Sequence, residues 1–570
     1  MCFGFQGLAP LAIDFDPFGV GGHGAASSWA AALLESAAVA FFCIQRQIRM
    51  SQDEPTASQQ DTGDVVPDSV IPRGTLPPLR WRDLPEPVPL LRMIGPGIML
   101  AGLALGSGEF IFWPYITYKS QFIFFWACLL GVTTQYFLNM EITRWTLATG
   151  ESAITGFCRM SRHWAWVFLI LNIVPWIIPA WARGAAEIVS WMIWEPQFDA
   201  NGSVEGLYVT ELAIAGMFLC GIILTAGPVI YETVERIQMV LVGTIMILVV
   251  VFAVAVVRTD ALTAMAEGTI SFEMPPDDAG LDVVFLLGAL AFAGAGGTLN
   301  LGQSNYIKDK GYGMGKYIGR ITSPITGQEE SISEVGYHFP DTPENRSRWK
   351  TWWRRAGTEH FVSFYLTCLV SLVLLTLISY SIFYDADGAE RLDASQYGKK
   401  MDFIWGEAVE LGKMATFGAA TLGLFLVMGI AILLTTEFGV LDGASRISTD
   451  LVKVNWLQNR PRWTESRLYY VFLWGTILLG TGVLLLDKIG VEVGTLTLFK
   501  FTAAMNGAVM FLYSMTLLRL NCRSLPKYLR MSWWRMLIMI WSVLFFGFFA
   551  VRVVWDVTSK IVEDLSTAAL

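Results

Sequence analysis

The chain has 570 residues, of which 54% are hydrophobic and only 16% are charged, and its mean hydropathy is +0.49. About a quarter of the residues of a soluble domain are charged, so this composition excludes an ordinary soluble protein and indicates a polytopic membrane protein. The formal net charge is −9. It does not indicate a nucleic-acid partner, because in a membrane protein the sidedness of charge matters more than its sum.

The first 89 residues precede the predicted membrane domain. Residues 51–90 are polar and rich in proline, a composition typical of disordered segments, and we expect residues 1–89 to form a disordered cytoplasmic tail. The apolar run at 25–44 has two open interpretations. In the first, the run is a signal peptide or a membrane anchor. In the second, the native protein starts at Met50, and residues 1–49 are not part of it.

Eleven windows from residue 91 onward are long and apolar enough to cross a bilayer, which takes about 20 residues. They lie at 91–113, 121–143, 163–194, 207–227, 234–257, 283–305, 359–384, 414–440, 467–487, 494–518 and 533–555. Basic residues gather after predicted spans 2, 6, 8 and 10, whereas the loops on the other side are acidic. The positive-inside rule therefore predicts a plasma-membrane protein with a cytoplasmic N-terminus and an external C-terminus.

Two of these spans carry glycine-rich segments in corresponding positions of two five-span halves. Span 1 contains LGSGEF at 105–110 and span 6 contains AGAGGTLN at 293–300. A single segment of this kind more often marks close helix packing, but a matched pair indicates an inverted-repeat transporter with discontinuous helices 1 and 6. We predict repeats at 90–257 and 283–518, a long cytoplasmic loop at 309–357, and an eleventh helix with the C-terminal tail at 533–570.

The residues around these segments resemble a known family. IGPGIMLAGLALGSGEF (94–110) and NMEITRWTLATG (139–150) are similar to the opening of the Nramp divalent-metal transporters. ARGAAEIVSWMI (182–193) and TVERIQMVLV (233–242) continue the likeness. It extends over about residues 90–557 and implies an all-α, LeuT-like fold of 5+5 inverted repeats.

The metal ligands that this resemblance implies are replaced here. The family's Asp-Pro-Gly-Asn aligns without gaps with Gly106, Ser107, Gly108 and Glu109, its Met-Pro-His aligns with Gly296, Gly297 and Thr298, and a second His aligns with Gln303. Loss of the thioether removes a preference for transition metals, and the oxygen donors that remain suit hard ions such as Mg²⁺ or Ca²⁺. The predicted ion- or substrate-binding residues are Gly106, Ser107, Gly108, Glu109, Gly296, Gly297, Thr298, Asn300 and Gln303.

Among these residues Glu109 is the predicted metal ligand, and it has two interpretations. A carboxylate at membrane depth is by default a functional group, but it could instead cap the second half of helix 1 through the helix dipole. Three further intramembrane residues, Arg183, Glu187 and Glu437, are candidates for proton or ion coupling. Arg183 and Glu187 are four residues apart and could equally form a structural pair on one helix face.

The leading hypothesis is a secondary transporter that moves a cation, with a divalent metal favoured by the resemblance and with or without coupled protons. The alternatives are an ion-coupled symporter of a small organic solute and a membrane sensor that does not transport. An enzyme is not expected, because no nucleophile with a base and an orienting group is visible in the sequence. No cofactor is expected, and the predicted partners are the transported cation or solute and the lipid bilayer.

Overall fold

The computed structural model describes residues 65–194, 196–198, 204–323, 333, 336–391, 401–414, 418–458, 460–489 and 494–568. For Ser107, 556–557 and 560–568 it describes the backbone only. The segment 1–64, and with it the two interpretations of residues 1–49, lies outside the described residues, as does part of the predicted loop at 309–357.

The described chain is almost entirely helical. Its first half contains α1 (Pro96–Ala104), α2 (Trp113–Ser120), α3 (Phe125–Thr149), α4 (Ala153–Met160), α5 (His163–Trp176), α6 (Ala180–Ile193), α7 (Val209–Ala226), α8 (Ile230–Val256) and α9 (Thr259–Ser271). Its second half contains α10 (Val283–Ala291), α11 (Gly297–Lys310), α12 (Pro343–His360), α13 (Thr367–Phe383), α14 (Asp402–Met414), α15 (Ala419–Trp456), α16 (Glu465–Leu485), α17 (Thr495–Arg523) and α18 (Trp533–Ala568).

Short elements join these helices. Two π-helical segments, Leu105–Phe112 and Phe361–Leu366, continue α1 into α2 and α12 into α13. The 3-10 turns are Leu90–Arg92, Asp277–Ala279, Gly313–Tyr317, Leu486–Ile489 and Lys527–Leu529. Four two-residue strands form two small sheets: β1 (Arg80–Trp81) runs parallel to β4 (Tyr337–His338), and β2 (Gln197–Phe198) runs antiparallel to β3 (Val204–Glu205).

Within the residues described, nine helical stretches are long and apolar enough to cross a membrane. They are Pro96–Ser120, His163–Ile193, Val209–Ala226, Ile230–Val256, Pro343–Phe383, Ala419–Trp456, Glu465–Ile489, Thr495–Arg523 and Trp533–Trp555. The predicted spans 121–143 and 283–305 fall on α3 and on the pair α10 and α11. The chain is therefore an integral, all-α membrane protein, as predicted, whereas the total of eleven spans stays a prediction.

Residues 65–93 run along one end of the helix bundle, and we call them the strap. Its apolar side chains Val66, Ile71, Leu79 and Leu84 are buried, and its strand β1 pairs with β4. The expectation of disorder is therefore wrong for residues 65–89. The expectation came from a composition that is polar and proline-rich overall. The few apolar residues of the segment are nevertheless enough to pack one side of it against the helix bundle.

Side chains of α12 hold the strap in place. Trp352 donates to the Pro85 carbonyl over 2.8 Å, Arg348 to Leu84 over 2.7 Å and Arg355 to Val88 over 2.6 Å. These donors satisfy backbone carbonyls of the strap. Its prolines lack the backbone N–H groups that a regular β-strand would need for its hydrogen bonds. The strap thus fixes the start of helix 1 against α12.

His338 of β4 lies buried beneath the strap. Its Nδ1 donates to the Ala148 carbonyl over 2.9 Å, its Nε2 lies 3.3 Å from the Tyr528 hydroxyl, and its ring centroid is 5.6 Å from that of Trp81. Burial lowers the pKa of His338 from 6.5 to about 4. The folded state therefore keeps this imidazole neutral where the unfolded chain would protonate it.

We expect this histidine to make the protein less stable in acid. Between pH 6.5 and pH 4 the unfolded chain binds a proton at His338 that the folded chain does not, so the free energy of unfolding falls as the pH is lowered through this window, by up to about 3 kcal/mol. Thermal unfolding in detergent at pH 7, 5.5 and 4.5 measures the effect. His338→Gln should lose this part of the pH dependence, and an unchanged slope in the variant would contradict the assignment.

Candidate functional site

Helix 6 is interrupted, as the sequence predicts. Helix α10 ends at Ala291 and α11 begins at Gly297, and Gly296 and Gly297 have φ angles of +73° and +52°. These are left-handed conformations that glycine adopts without strain. A side chain on Gly297 would also overlap Oδ1 of Asn506 in α17. The chain therefore needs glycine at the break both for its backbone conformation and for space.

Helix 1 differs from the prediction. The segment that contains Gly106, Ser107, Gly108 and Glu109 is not unwound but forms the π-helical segment Leu105–Phe112, which runs directly into α2. A π-helix widens the turn by one residue and often occurs at functional sites. Helix 1 thus distorts without opening, because widening the turn retains backbone hydrogen bonds that an unwound turn would leave unpaired in the membrane.

The two distorted segments meet backbone to backbone. A Cβ atom built on Gly108 would overlap the carbonyl oxygen of Phe292 in the helix 6 break, and one built on Gly106 would overlap the hydroxyl of Thr436 in α15. Thr436 donates that hydroxyl to the Gly102 carbonyl over 3.0 Å. Helix 1, the helix 6 break and α15 therefore converge at one place in the bundle interior.

Glu109 lies at this place and is fully buried, with 0% of its surface exposed. In the described part of the chain no donor reaches full hydrogen-bond geometry at either carboxylate oxygen, and the thiol of Cys368 is the side chain that interacts with it as a weak donor. Its electrostatic neighbours are the thiols of Cys128 in α3 and Cys368 in α13. Because Glu109 lies inside a continuous helix, it does not cap the start of α2, and the capping interpretation is not supported.

The predicted residues of α11 contact four other helices. Thr298 donates to Asn172 over 2.7 Å and accepts from Trp176 over 2.7 Å. Asn300 donates to Gln135 over 3.1 Å and to Tyr513 over 3.0 Å, and Nε2 of Gln303 lies 3.3 Å from Nδ1 of His360. These contacts bring Thr298, Asn300 and Gln303 to α5, α3, α17 and α12, and none of them joins the side chain of Glu109. Of the predicted Ser107 only the backbone is described.

Gln135 of α3, which sequence reasoning missed, holds the helix 6 break. Its Nε2 donates to the carbonyls of Ala291 and Leu290 over 2.9 and 3.3 Å, and its Oε1 accepts from Gly296 N over 3.4 Å and from Asn300. One amide thus satisfies backbone groups that the missing helical turn leaves open. The sequence feature that could have identified Gln135 is the polar pair Gln135 and Asn139, which lie four residues apart on one helix face within an apolar span.

The predicted coupling residues lie at other contacts. Arg183 pairs with Asp487 and donates to Thr495 over 3.1 Å, and Thr495 in turn donates to Glu187. This arrangement links α6 to α17 and to the turn after α16. Glu437 is buried and faces the backbone amide of Ala182 in the first turn of α6, where a carboxylate stabilises a helix N-terminus.

Aromatic rings surround the helix 6 break. The ring of Phe292 lies 6.0 Å from Phe112, 6.3 Å from Trp176 and 5.8 Å from Trp181, and Trp181 lies 5.5 Å from Phe499. Over the residues that are described, no group of three or more His, Cys, Asp and Glu side chains is arranged to hold a metal ion. The site therefore consists of one carboxylate, neighbouring thiols, amides and an aromatic cluster.

Different features mark the two ends of the bundle. At the strap end a cavity of about 640 Å³ is lined by Arg92, Tyr231, Glu235 and Lys310 among others, with Lys310 paired to Glu235. At the other end the ring of Tyr115 packs 5.2 Å from Phe403 of α14 and 5.3 Å from Phe285. The strap end thus carries a cavity between the start of helix 1, α8 and the end of α11, and aromatic packing joins α14 to helix 1 at the other end.

These features define an α-helical membrane protein whose distorted first helix and interrupted sixth helix meet at its centre. Solved structures share this fold. A crystal structure of a point variant of the manganese transporter of Eremococcus coleocola aligns with 85% of this chain and 89% of its own, with a TM-score of 0.57 and 13% identity. The same transporter in complex with an aromatic bis-isothiourea substituted compound aligns with 84% of this chain and 89% of its own, with a TM-score of 0.56 and 14% identity.

The likeness to Nramp proteins that the sequence predicts is therefore confirmed at the level of the fold. No protein-family model matches the sequence. No curated protein matches it either. The fold is common to this chain and the manganese transporter.

Proposed function

We propose that this chain is a secondary active transporter that moves a cation by alternating access around the contact between helix 1 and the helix 6 break. The observation that carries the proposal is the carboxylate of Glu109, which is fully buried and has, among the described residues, no side-chain donor stronger than the thiol of Cys368. An isolated ionised carboxylate is very unfavourable in an apolar interior. It has to be neutralised by a bound cation or by a proton, and exchange between the two is the basis of coupled transport.

The cavity at the strap end supports a path for the cargo on that side. It is lined by Arg92 and Lys310, while at the other end Tyr115 packs against Phe403 of α14. By the positive-inside rule the strap end is cytoplasmic, and in this proposal its cavity faces the cytoplasm across the plasma membrane. In this proposal the repeats at 90–257 and 283–518 move against each other, as in transporters built from inverted repeats.

The donors near Glu109 bear on the class of cation. The sequence suggested an all-oxygen site for a hard ion, but the thiols of Cys128 and Cys368 are the neighbours of this carboxylate. Sulfur donors suit borderline and soft divalent ions, whereas a carboxylate accepts hard and borderline ions. We therefore propose a divalent metal as the cargo, consistent with the manganese transporter that shares the fold, with Mn²⁺ and Cd²⁺ tested beside Mg²⁺ and Ca²⁺.

The aromatic cluster supports a second candidate, a small organic cation. The rings of Phe112, Phe292 and Trp181 lie beside the break, and aromatic rings attract ammonium groups by about 0.5–2 kcal/mol each. An organic cargo would use Glu109 as its counter-ion and would need no metal. Binding measured in the presence of a chelator separates the two candidates.

We expect Glu109→Gln to reduce uptake at least tenfold, because the amide removes the charge that the cargo neutralises. Uptake of Mn²⁺, Cd²⁺, Mg²⁺ and Ca²⁺ into proteoliposomes, with and without a pH gradient, measures this effect. Glu267→Gln is the matched control, since Glu267 is an exposed acid on α9, and it should transport like the wild type. Full uptake by Glu109→Gln would contradict the proposal, and absence of uptake of any cation by the wild type would favour a sensor.

A further inference from the structure

The outer face of α12 carries positive charge that has no counterpart in the described part of the chain. The lysine and arginine side chains of this helix are Arg346, Arg348, Lys350, Arg354 and Arg355. Arg346 and Arg348 pair with acids beside them, and Arg355 donates to two carbonyls of the strap. Lys350 and Arg354 are exposed and have no hydrogen bond or ion pair with any described residue.

The acids of α12 do not balance these two charges. Glu344 pairs with Arg348, and Glu359 is buried and accepts from two backbone amides at the start of helix 1. Lys350 and Arg354 are four residues apart, so they are neighbours on one helix face, where like charges repel each other and destabilise the helix. One anion bound between them would remove this repulsion.

The same face becomes apolar toward the membrane. Thr358 and Phe361 follow Arg354 by four and seven residues, a spacing that keeps them on one side of the helix. Phe361 is 40% exposed and the adjacent Val362 is 54% exposed, and both belong to Pro343–Phe383, which is long and apolar enough to cross a membrane. At 1.5 Å per residue, the face passes from positive to apolar within about 10 Å.

Tryptophan side chains mark the membrane boundary at the height of these charges. Trp533 and Trp534 at the start of α18 are 66% and 43% exposed. The guanidinium of Arg535 lies 5.2 Å from the ring centroid of Trp534 and 5.1 Å from that of Trp353. Trp353 directly precedes Arg354. Because exposed tryptophan is enriched at the level of the lipid headgroups, Arg354 lies where the phosphate of a lipid is the available anion.

We propose that Lys350 and Arg354 form a binding site for the headgroup of an anionic phospholipid. Both side chains donate charge-assisted hydrogen bonds to the phosphate, and the acyl chains lie along Phe361 and Val362. Basic residues immediately outside a membrane helix attract anionic lipids. The occupant is a lipid and not a soluble anion, because the exposed face continues as an apolar surface below the two charges. The inference does not depend on the proposed transport function.

The site lies on the helix that holds the strap. Trp352 donates to the strap from the face of α12 opposite to Lys350 and Arg354, since it is two residues from each of them. The lipid therefore binds the outer face of α12 while the strap covers its inner face. An anionic lipid at this site stabilises α12, and with it the contact that fixes the start of helix 1.

Native mass spectrometry of the purified chain resolves individual bound lipids and tests the site directly. The first phosphatidylglycerol should associate about tenfold more tightly than the first phosphatidylcholine, and the double variant Lys350→Gln/Arg354→Gln should lose most of this preference. Arg80→Gln/Lys316→Gln removes two exposed charges elsewhere and should keep the wild-type preference. No preference in the wild type, or an equal preference in both double variants, would overturn the inference.

Two further measurements separate a lipid from other sources of stabilisation. Glycerol 3-phosphate carries the phosphate without acyl chains and should not displace the first phosphatidylglycerol at equal concentration; equal competition would mean that the site binds a soluble phosphate. In phosphatidylcholine nanodiscs, added phosphatidylglycerol should raise the unfolding temperature of the wild type and of Arg80→Gln/Lys316→Gln, but not that of Lys350→Gln/Arg354→Gln. Equal rises in all three proteins would contradict the assignment to Lys350 and Arg354.

Discussion

Gly108→Ala is expected to destabilise the folded protein by about 3 kcal/mol and to abolish uptake. A Cβ atom at this position overlaps the carbonyl oxygen of Phe292, and a backbone atom cannot rotate away as a side chain can. Overpacking a tightly packed interior typically costs about 1–3 kcal/mol, and relief here requires separating helix 1 from the helix 6 break. Thermal unfolding of the purified variant, together with cation uptake, measures both effects.

A second glycine provides the matched control. A Cβ atom built on Gly243 in α8 has no heavy atom within 4 Å, so Gly243→Ala should be neutral or stabilising by up to about 1 kcal/mol, because alanine favours the helix. Equal destabilisation by both substitutions would show that loss of glycine itself is responsible, and would contradict the close contact at Gly108.

The helix 6 break could be predicted because its cause is local. Gly296 and Gly297 occupy left-handed conformations, which glycine adopts without strain. The response of helix 1 could not be predicted in the same way. Whether a glycine-rich segment unwinds or widens into a π-helix depends on the neighbours that replace its backbone hydrogen bonds, here Thr436 of α15.

The surroundings of Glu109 were not predictable from spacing. Cys128 and Cys368 lie on α3 and α13, far from Glu109 along the chain, and the sequence interpretation treated the site as oxygen donors only. Their positions follow from the tertiary packing of helix 1 with α3 and α13. Gln135 was similarly missed, since a polar residue within an apolar helix does not show which backbone groups it satisfies.

The strap illustrates a different limit. Composition over residues 51–90 indicates disorder, because it averages over prolines and charged residues. Order in the described part depends on contacts with residues more than 250 positions away, such as the bond from Trp352 to Pro85. Such long-range contacts leave no periodic signal in a short, irregular segment.

Glu141→Gln is expected to destabilise the protein by about 3–5 kcal/mol. Glu141 is buried in α3 and accepts from Arg144 over 2.7 Å, from Arg535 of α18 over 2.6 Å and from Asn521 of α17 over 3.1 Å. Removing its charge leaves two buried guanidinium groups uncompensated, which is far more unfavourable than losing an exposed pair. Thermal unfolding in detergent measures the loss, and protease cleavage between α17 and α18 should accelerate because Arg535 anchors α18.

The exposed pair of Glu211 and Lys488, with side chains 51% and 56% accessible, supplies the control. Glu211→Gln should change the free energy of unfolding by no more than about 1 kcal/mol, since water already solvates both charges. Replacing Glu141, Arg144 and Arg535 together with leucine should recover part of the lost stability, because these three positions then carry no uncompensated charge. If the triple variant were as unstable as Glu141→Gln, packing rather than uncompensated charge would be the cause.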